Sequence, residues 1–214
     1  MPRTLIDERI TPESIKPIQD HLLLQVIERE KTSGGILLPG NKATPIVLGK
    51  VLAKGTEIPN NYNGKGFPIR VEAGQHVIFM DYAGERVRVA WENYRLIREH
   101  GLWGVVIPGN VDVHDFKSVK PWADRLILEM DSDEKTKSGL LFLPNKDMPI
   151  AFHTGTVVHA GFGLWHLESG KLLPCSCKPG NRVLFRRYAG AEITINGKTL
   201  RILQEDDILS IMEG

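Results

Sequence analysis

Apolar positions along this chain come in short runs separated by glycine, proline and polar clusters, and the runs have the period of strands. Arg125-Leu126-Ile127-Leu128-Glu129-Met130 alternates, with Leu126, Leu128 and Met130 on one face, the pattern of a half-buried strand; His21 to Ile27 is apolar on both faces. Further short strands are predicted at Gly49 to Ala53, His76 to Met80, Arg86 to Trp91 and Tyr94 to Ile97, with glycine-containing turns at close spacing between them. No stretch sustains a helical period. Short strands joined by tight turns predict an all-β fold, and a small barrel is the arrangement that removes free edges by closure.

The pattern then repeats. Val71-Glu72-Ala73-Gly74-Gln75-His76-Val77-Ile78-Phe79 returns as Cys177-Lys178-Pro179-Gly180-Asn181-Arg182-Val183-Leu184-Phe185, and Tyr82-Ala83-Gly84 returns as Tyr188-Ala189-Gly190. Gly49-Lys50-Val51-Leu52-Ala53-Lys54-Gly55 returns as Gly155-Thr156-Val157-Val158-His159-Ala160-Gly161, and the shift in all three cases is 106 residues. Lys16-Pro17 matches Lys120-Pro121 at a shift of 104, so two residues enter the second copy before Gly155. Insertions collect where backbone is exposed and unpaired, which marks the intervening loop as a surface element. The expected division is a tail at 1–13, a first unit at 14–107, a linker at 108–117 rich in Pro, Gly, Asn and Asp, and a second unit at 118–214.

Each copy of that loop has an unusual composition. Lys31-Thr32-Ser33-Gly34-Gly35-Ile36-Leu37-Leu38-Pro39 places polar residues and paired glycines ahead of three large aliphatics, leaving the backbone free while the side chains call for cover. One such copy reads as a hairpin loop whose apolar tip folds back on its own domain. A second, Thr136-Lys137-Ser138-Gly139-Leu140-Leu141-Phe142-Leu143-Pro144, at the same place in the second unit, favours a docking element covered by a partner.

Composition narrows the partner without identifying it. The chain has 214 residues, 42% hydrophobic and 25% charged, with a formal net charge of +1, so no strong field favours nucleic acid or an anionic membrane. No run approaches the roughly 18 apolar residues of a membrane span. Met1 to Pro12 mixes Arg3 and Arg9 with Asp7 and Glu8 and resembles neither a secretory signal nor a transit peptide. A cytoplasmic location is expected, with a plastid as the alternative if a transit peptide has been removed. Cys175 and Cys177 form one Cys-x-Cys, too close to staple distant parts of a fold, and His153, His159 and His166 fall on different predicted elements. Neither a metal site nor a cofactor is expected. No catalytic constellation is found either: Gly-x-Ser-x-Gly, the phosphate-cradling Gly-x-x-x-x-Gly-Lys-Ser/Thr and His-Glu-x-x-His are all missing, so a binding function is favoured over an enzyme.

In order and in duplicate, these residues resemble the GroES-type co-chaperonins, the ring-forming lids of group I chaperonins. The family's opening Pro-Leu-x-Asp-Arg is similar to Pro121-Trp122-Ala123-Asp124-Arg125-Leu126 and, less closely, to Pro17-Ile18-Gln19-Asp20-His21-Leu22. Its loop, Lys-x-x-Gly-Gly and an aliphatic tripeptide, resembles Lys31 to Leu38, and its closing strand resembles Leu200 to Ile211. The tandem layout is similar to the double-length co-chaperonins of plastids. The sequence departs at Gln75 and Asn181, where the family has Asp, and at Glu99-His100-Gly101-Leu102-Trp103-Gly104-Val105, which puts the first unit's subunit contacts in doubt. In the second unit the double glycine is reduced to Gly139.

The resemblance implies two tandem GroES-like β-barrels, each with a flexible loop, and a group I chaperonin as partner. It implies that Gly34, Gly35, Ile36, Leu37 and Leu38, with Gly139, Leu140, Leu141 and Phe142, bind the chaperonin. Ile208, Leu209 and Ile211 are implied at a subunit interface, within a homo-oligomer or a ring mixed with single-domain co-chaperonin. Roof hairpins are implied at Glu57 to Pro68 and Gly163 to Pro174. Two readings stand against this one: a GroES-like fragment of a dehydrogenase, which would need a Gly-x-Gly-x-x-Gly nucleotide unit that is missing, and a scaffold that kept the fold and lost chaperonin binding.

Overall fold

The computed structural model describes residues 4–5, 11–27, 46–89, 92–108, 115–131 and 152–212. The first unit supplies β1 (Thr4–Leu5), β2 (His21–Ile27), β3 (Ile46–Lys54), β4 (His76–Met80), β5 (Glu85–Val89), β6 (Glu92–Arg98) and β7 (Leu102–Pro108). The second supplies β8 (Asp115–Pro121), β9 (Arg125–Met130), β10 (Phe152–Ala160), β11 (Leu164–Trp165), β12 (Leu172–Leu173), β13 (Arg182–Arg186), β14 (Ala191–Ile195), β15 (Lys198–Gln204) and β16 (Ile208–Met212). Helix among the described residues is limited to 3-10 turns at Pro12–Ser14, Glu99–Gly101 and Glu205–Asp207. The all-β expectation holds. β2, β4 and β9 fall on the bounds read from the pattern, β3 and β6 run further at both ends, and the strand expected to reach Trp91 is described only as far as Val89.

Fourteen strands form one series, β1-β5-β6-β2-β3-β4-β7-β8-β14-β15-β9-β10-β13-β16. Within it each unit builds the same ladder: β5-β6-β2-β3-β4-β7 in the first is matched by β14-β15-β9-β10-β13-β16 in the second. The two ladders meet where β7 pairs antiparallel with β8, Val105 opposite Lys120 and Val106 opposite Val119. β7 ends at Pro108 and β8 begins at Asp115, so strand reaches into both ends of the segment read as a linker.

The repeat is visible in local chemistry. Gln19 and Ala123 both adopt positive φ, 53° and 49°, and each carries its carbonyl against a glycine: a Cβ at Gly55 would lie 2.0 Å from the Gln19 oxygen, and one at Gly161 2.1 Å from the Ala123 oxygen. No side chain fits in that gap, which is a physical reason for glycine at both positions. The two departures from Asp are also accommodated. Gln75 Oε1 accepts the Glu72 amide at 2.9 Å, and Asn181 Oδ1 accepts the Lys178 amide at 2.7 Å, so each amide side chain closes the turn before its strand.

Three of the buried clusters among the described residues show how this arrangement holds together; a fourth, of Leu23, Val87, Val89 and Tyr94, backs β2 in the first unit. Leu22, Leu24, Val51, Val77, Phe79 and Leu102 fill the first unit, and Leu126, Leu128, Val157, Val183, Phe185 and Leu203 fill the second. The third lies between the units, where Ile46, Ile78, Trp103 and Val106 pack against Phe116, Val119, Ile127 and Ile202. β9 is therefore buried on both faces from Arg125 to Leu128 rather than half-buried as its alternation predicts. Leu126 and Leu128 face their own unit, and Ile127 faces the other.

Candidate functional site

The residues expected to dock, Gly34, Gly35, Ile36, Leu37, Leu38, Gly139, Leu140, Leu141 and Phe142, lie outside the described residues. Their stems are described. β2 and β3 pair antiparallel with Ile27 opposite Leu48, so the segment 28–45 leaves and re-enters at one end of a paired ladder. β9 and β10 do the same for 132–151, with Met130 opposite Gly155 and the Asp131 amide donating to the Thr154 carbonyl at 3.1 Å. Arg182 locks that second stem through two bonds to Asp131 Oδ2, at 2.9 and 2.8 Å.

The altered closing segment of the first unit has a role that sequence reading missed. Trp103 is buried in the core between the units, and its carbonyl accepts the Trp122 amide at 3.0 Å. The guanidinium of Arg125 sits 5.2 Å from the Trp103 ring centroid, donates to the His100 carbonyl at 3.2 Å and pairs with Asp124. Burial presses the Arg125 pKa down and the Asp124 carboxylate opposes that shift, so the pair is a charged buttress inside the seam. The doubt about this segment is resolved: its contacts are made with the second unit of the same chain. An aromatic at Trp103, where the second unit has Leu209, was the available signal.

The hairpins expected as a roof form and touch. Ile58 and Phe67 exchange two backbone hydrogen bonds of 2.8 and 2.9 Å, and β11 pairs with β12. Phe67 stacks on Trp165 with centroids 4.7 Å apart and planes 7° apart, while the buried Asn60 donates from Nδ2 to the Leu167 carbonyl at 3.0 Å. Arg70 lies over both Phe162 and Trp165, 4.5 and 5.2 Å from their ring centroids. Nothing in the spacing of Arg70, Phe162 and Trp165 links them; only the fold brings them together.

At the outer ends of the series the seam has no counterpart among the described residues. Among the described residues β16 pairs only with β13, and β1 only with β5. Shifted by 106 residues, Ile46, Trp103 and Val106 correspond to Phe152, Leu209 and Met212, which are 46%, 44% and 39% exposed, against 7%, 6% and 4% at the seam. Shifted by 104, Trp122 corresponds to Ile18, which is 69% exposed. Of the expected interface residues, Ile208 packs partly onto its own unit's core, while Leu209 and Ile211 are exposed on β16.

Both cysteines are free and buried, and burial together with Glu205 pushes the Cys175 thiol up to about 11 and Cys177 in the same direction. The Cys177 amide donates to Glu205 Oε1 at 2.8 Å, as the Arg70 amide donates to Glu99 Oε1 at 2.9 Å, so each unit ties the base of its hairpin to a glutamate in its closing turn. The described residues hold no group of His, Cys, Asp and Glu arranged for a metal ion.

This twice-repeated ladder has known relatives. The family model for the chaperonin 10 kDa subunit matches twice, at residues 14–106 and 118–212. The chain is 32% identical over 203 residues to the 20 kDa chaperonin, chloroplastic, of Arabidopsis thaliana, covering 93% of this chain and 76% of that protein. Single units resemble co-chaperonin GroES: 42% identity over 98 residues with that of Syntrophotalea carbinolica, 45% of this chain and 99% of that protein, and 45% over 96 residues with that of Cereibacter sphaeroides, 44% and 96%. Two matches in tandem, with a relative that spans nearly the whole chain, place it in the chaperonin 10 kDa subunit family, of which it carries two units.

Proposed function

We propose that this member of the co-chaperonin family assembles head to tail into a ring-shaped lid and caps a group I chaperonin through the loops of its two units, 14–107 and 118–214. The observation that carries the assembly is the seam itself. It is a heterologous contact, with the closing strand of one unit on the opening segment of the next, and the corresponding surfaces at the outer ends are unpaired among the described residues. Carrying the register across by the same shifts sets Ile211 opposite Lys16, and Met212 opposite Ile15, of a neighbouring chain. That neighbour is a second copy, or a single-unit co-chaperonin presenting the same edges. Ile208, Leu209 and Ile211 thus lie on the assembling strand.

Docking falls to Gly34, Gly35, Ile36, Leu37 and Leu38 and to Gly139, Leu140, Leu141 and Phe142. The glycines leave the backbone free to fit the partner and the aliphatics supply the buried surface. One such loop binds weakly because its ordering costs entropy; several on one ring turn later contacts into intramolecular ones, giving a complex that is tight yet releasable. The work is binding rather than catalysis, with ATP hydrolysed by the partner. The likeness to a chloroplast protein supports a plastid location over the cytoplasm. The test mixes the purified chain with a group I chaperonin and ATP. A co-eluting complex and a changed ATPase rate are expected, both lost when Ile36, Leu37 and Leu38 are replaced by Ser. No complex in the presence of nucleotide would leave the scaffold reading in its place.

A further inference from the structure

Where the seam meets the hairpins, a cavity of about 520 Å³ lies between the units. Val105 and Val106 of β7 form one apolar wall, and Trp122 and Phe162, edge to face at 5.1 Å, form another. Arg70, His76 and Lys120 also line it, and among the described residues no carboxylate does. Arg70 is positioned by the rings of Phe162 and Trp165, and Glu99, the acid whose charge it feels, accepts its backbone amide instead. Among the described residues none of these three basic side chains belongs to an ion pair. Burial and Lys50 hold the His76 ring below its ordinary pKa, which leaves Arg70 and Lys120 as the groups suited to hold an anion.

Two cations outside any ion pair over an aromatic cleft describe a complementary molecule: a flat apolar body with an acid at one end. The volume falls within the range of about 300 to 1,000 Å³ usual for small-molecule sites. A guanidinium stacked by its face keeps its edge for a carboxylate, which it grips through two parallel hydrogen bonds. We propose that this cavity is a binding site for a small aromatic acid, with its ring between the β7 valines and Trp122 and Phe162, and its carboxylate on Arg70 and Lys120. The site belongs to the seam alone. By the repeat shifts, Ser176, Ile18 and Thr56 stand where Arg70, Trp122 and Phe162 would be needed, so a junction between chains lacks it and each chain holds one.

Titration of the full chain with 2-naphthoate and its neutral amide, 2-naphthamide, followed by calorimetry, tests this. One saturable 2-naphthoate site per chain is expected, with the amide at least tenfold weaker. Arg70→Ser should weaken the acid at least tenfold and leave the amide unchanged. Lys120→Gln, at an exposed side chain outside every core, should weaken the acid severalfold, and it decides the matter if Arg70→Ser disturbs the hairpins. Absence of saturable binding, equal binding of acid and amide, or unchanged acid affinity in Lys120→Gln overturns the proposal.

Discussion

Replacing Leu209 and Met212 together by Glu tests the head-to-tail assembly without touching a core. Phe152, Leu209, Met212 and Ile18 retain between them about two side chains' worth of exposed apolar surface. At about 1.5 to 3 kcal/mol per fully buried side chain, covering it contributes roughly 3 to 6 kcal/mol per junction, of which Leu209 and Met212 supply about 1 to 2.5. Each introduced carboxylate would also have to be buried against the Ile15 to Ile18 face of the neighbour, adding a desolvation cost. Every 1.4 kcal/mol is about a factor of ten in association, so the double variant should associate at least tenfold more weakly in a sedimentation-velocity concentration series. Its thermal unfolding should fall less than its association when both are monomeric, because Leu209 and Met212 lie outside the buried cores and are 44% and 39% exposed. An unchanged association constant would refute the argument that the outer ends pair as the seam does.

The two loops are expected to differ: Ser at Leu140, Leu141 and Phe142 should cost less chaperonin affinity than Ser at Ile36, Leu37 and Leu38, since the first unit keeps the double glycine, and equal losses would show that both units dock alike. Burial raises the Glu99 carboxyl above its ordinary value, so the folded chain holds that proton more tightly than the unfolded one, and the stability it contributes is present below the ordinary value and lost as pH rises through the raised one. Glu99→Gln keeps an oxygen for the Arg70 amide and should therefore gain on the parent in melting temperature as pH rises above the ordinary glutamate value of about 4.3; a pH-independent difference would count against this. Cys175 and Cys177 should resist thiol reagents in the folded chain at neutral pH and react promptly on unfolding, and fast labelling without unfolding would contradict their burial.

Much of the fold was legible because its constraints are local. Glycine at 55 and 161 answers a carbonyl a few ångströms away, and β2 and β9 announce themselves by their apolar runs. The seam was not legible, because its partners lie in separate runs whose pattern is already satisfied by their own units. Ile127 looks like the outward face of an alternating strand until the other unit covers it, and Trp103 looks like a degraded motif until Arg125 is set beside it. The candidate docking residues rest on composition, repetition and the family resemblance, and the structure describes only their stems.

A single-unit subunit that builds a ring must write both halves of every contact into one short sequence, so any change to one face is imposed at all junctions at once. Tethering two units lifts that restriction at the seam. Trp103, His100 and Arg125 meet within one chain, so each can change together with its partner, whereas in the proposed assembly β16 and the opening segment would have to suit whatever joins them from outside. In that assembly the covalent join would give the protein two kinds of boundary: a private one inside the chain, which carries the aromatic clamp and the cavity, and a public one between chains, constrained by its neighbours.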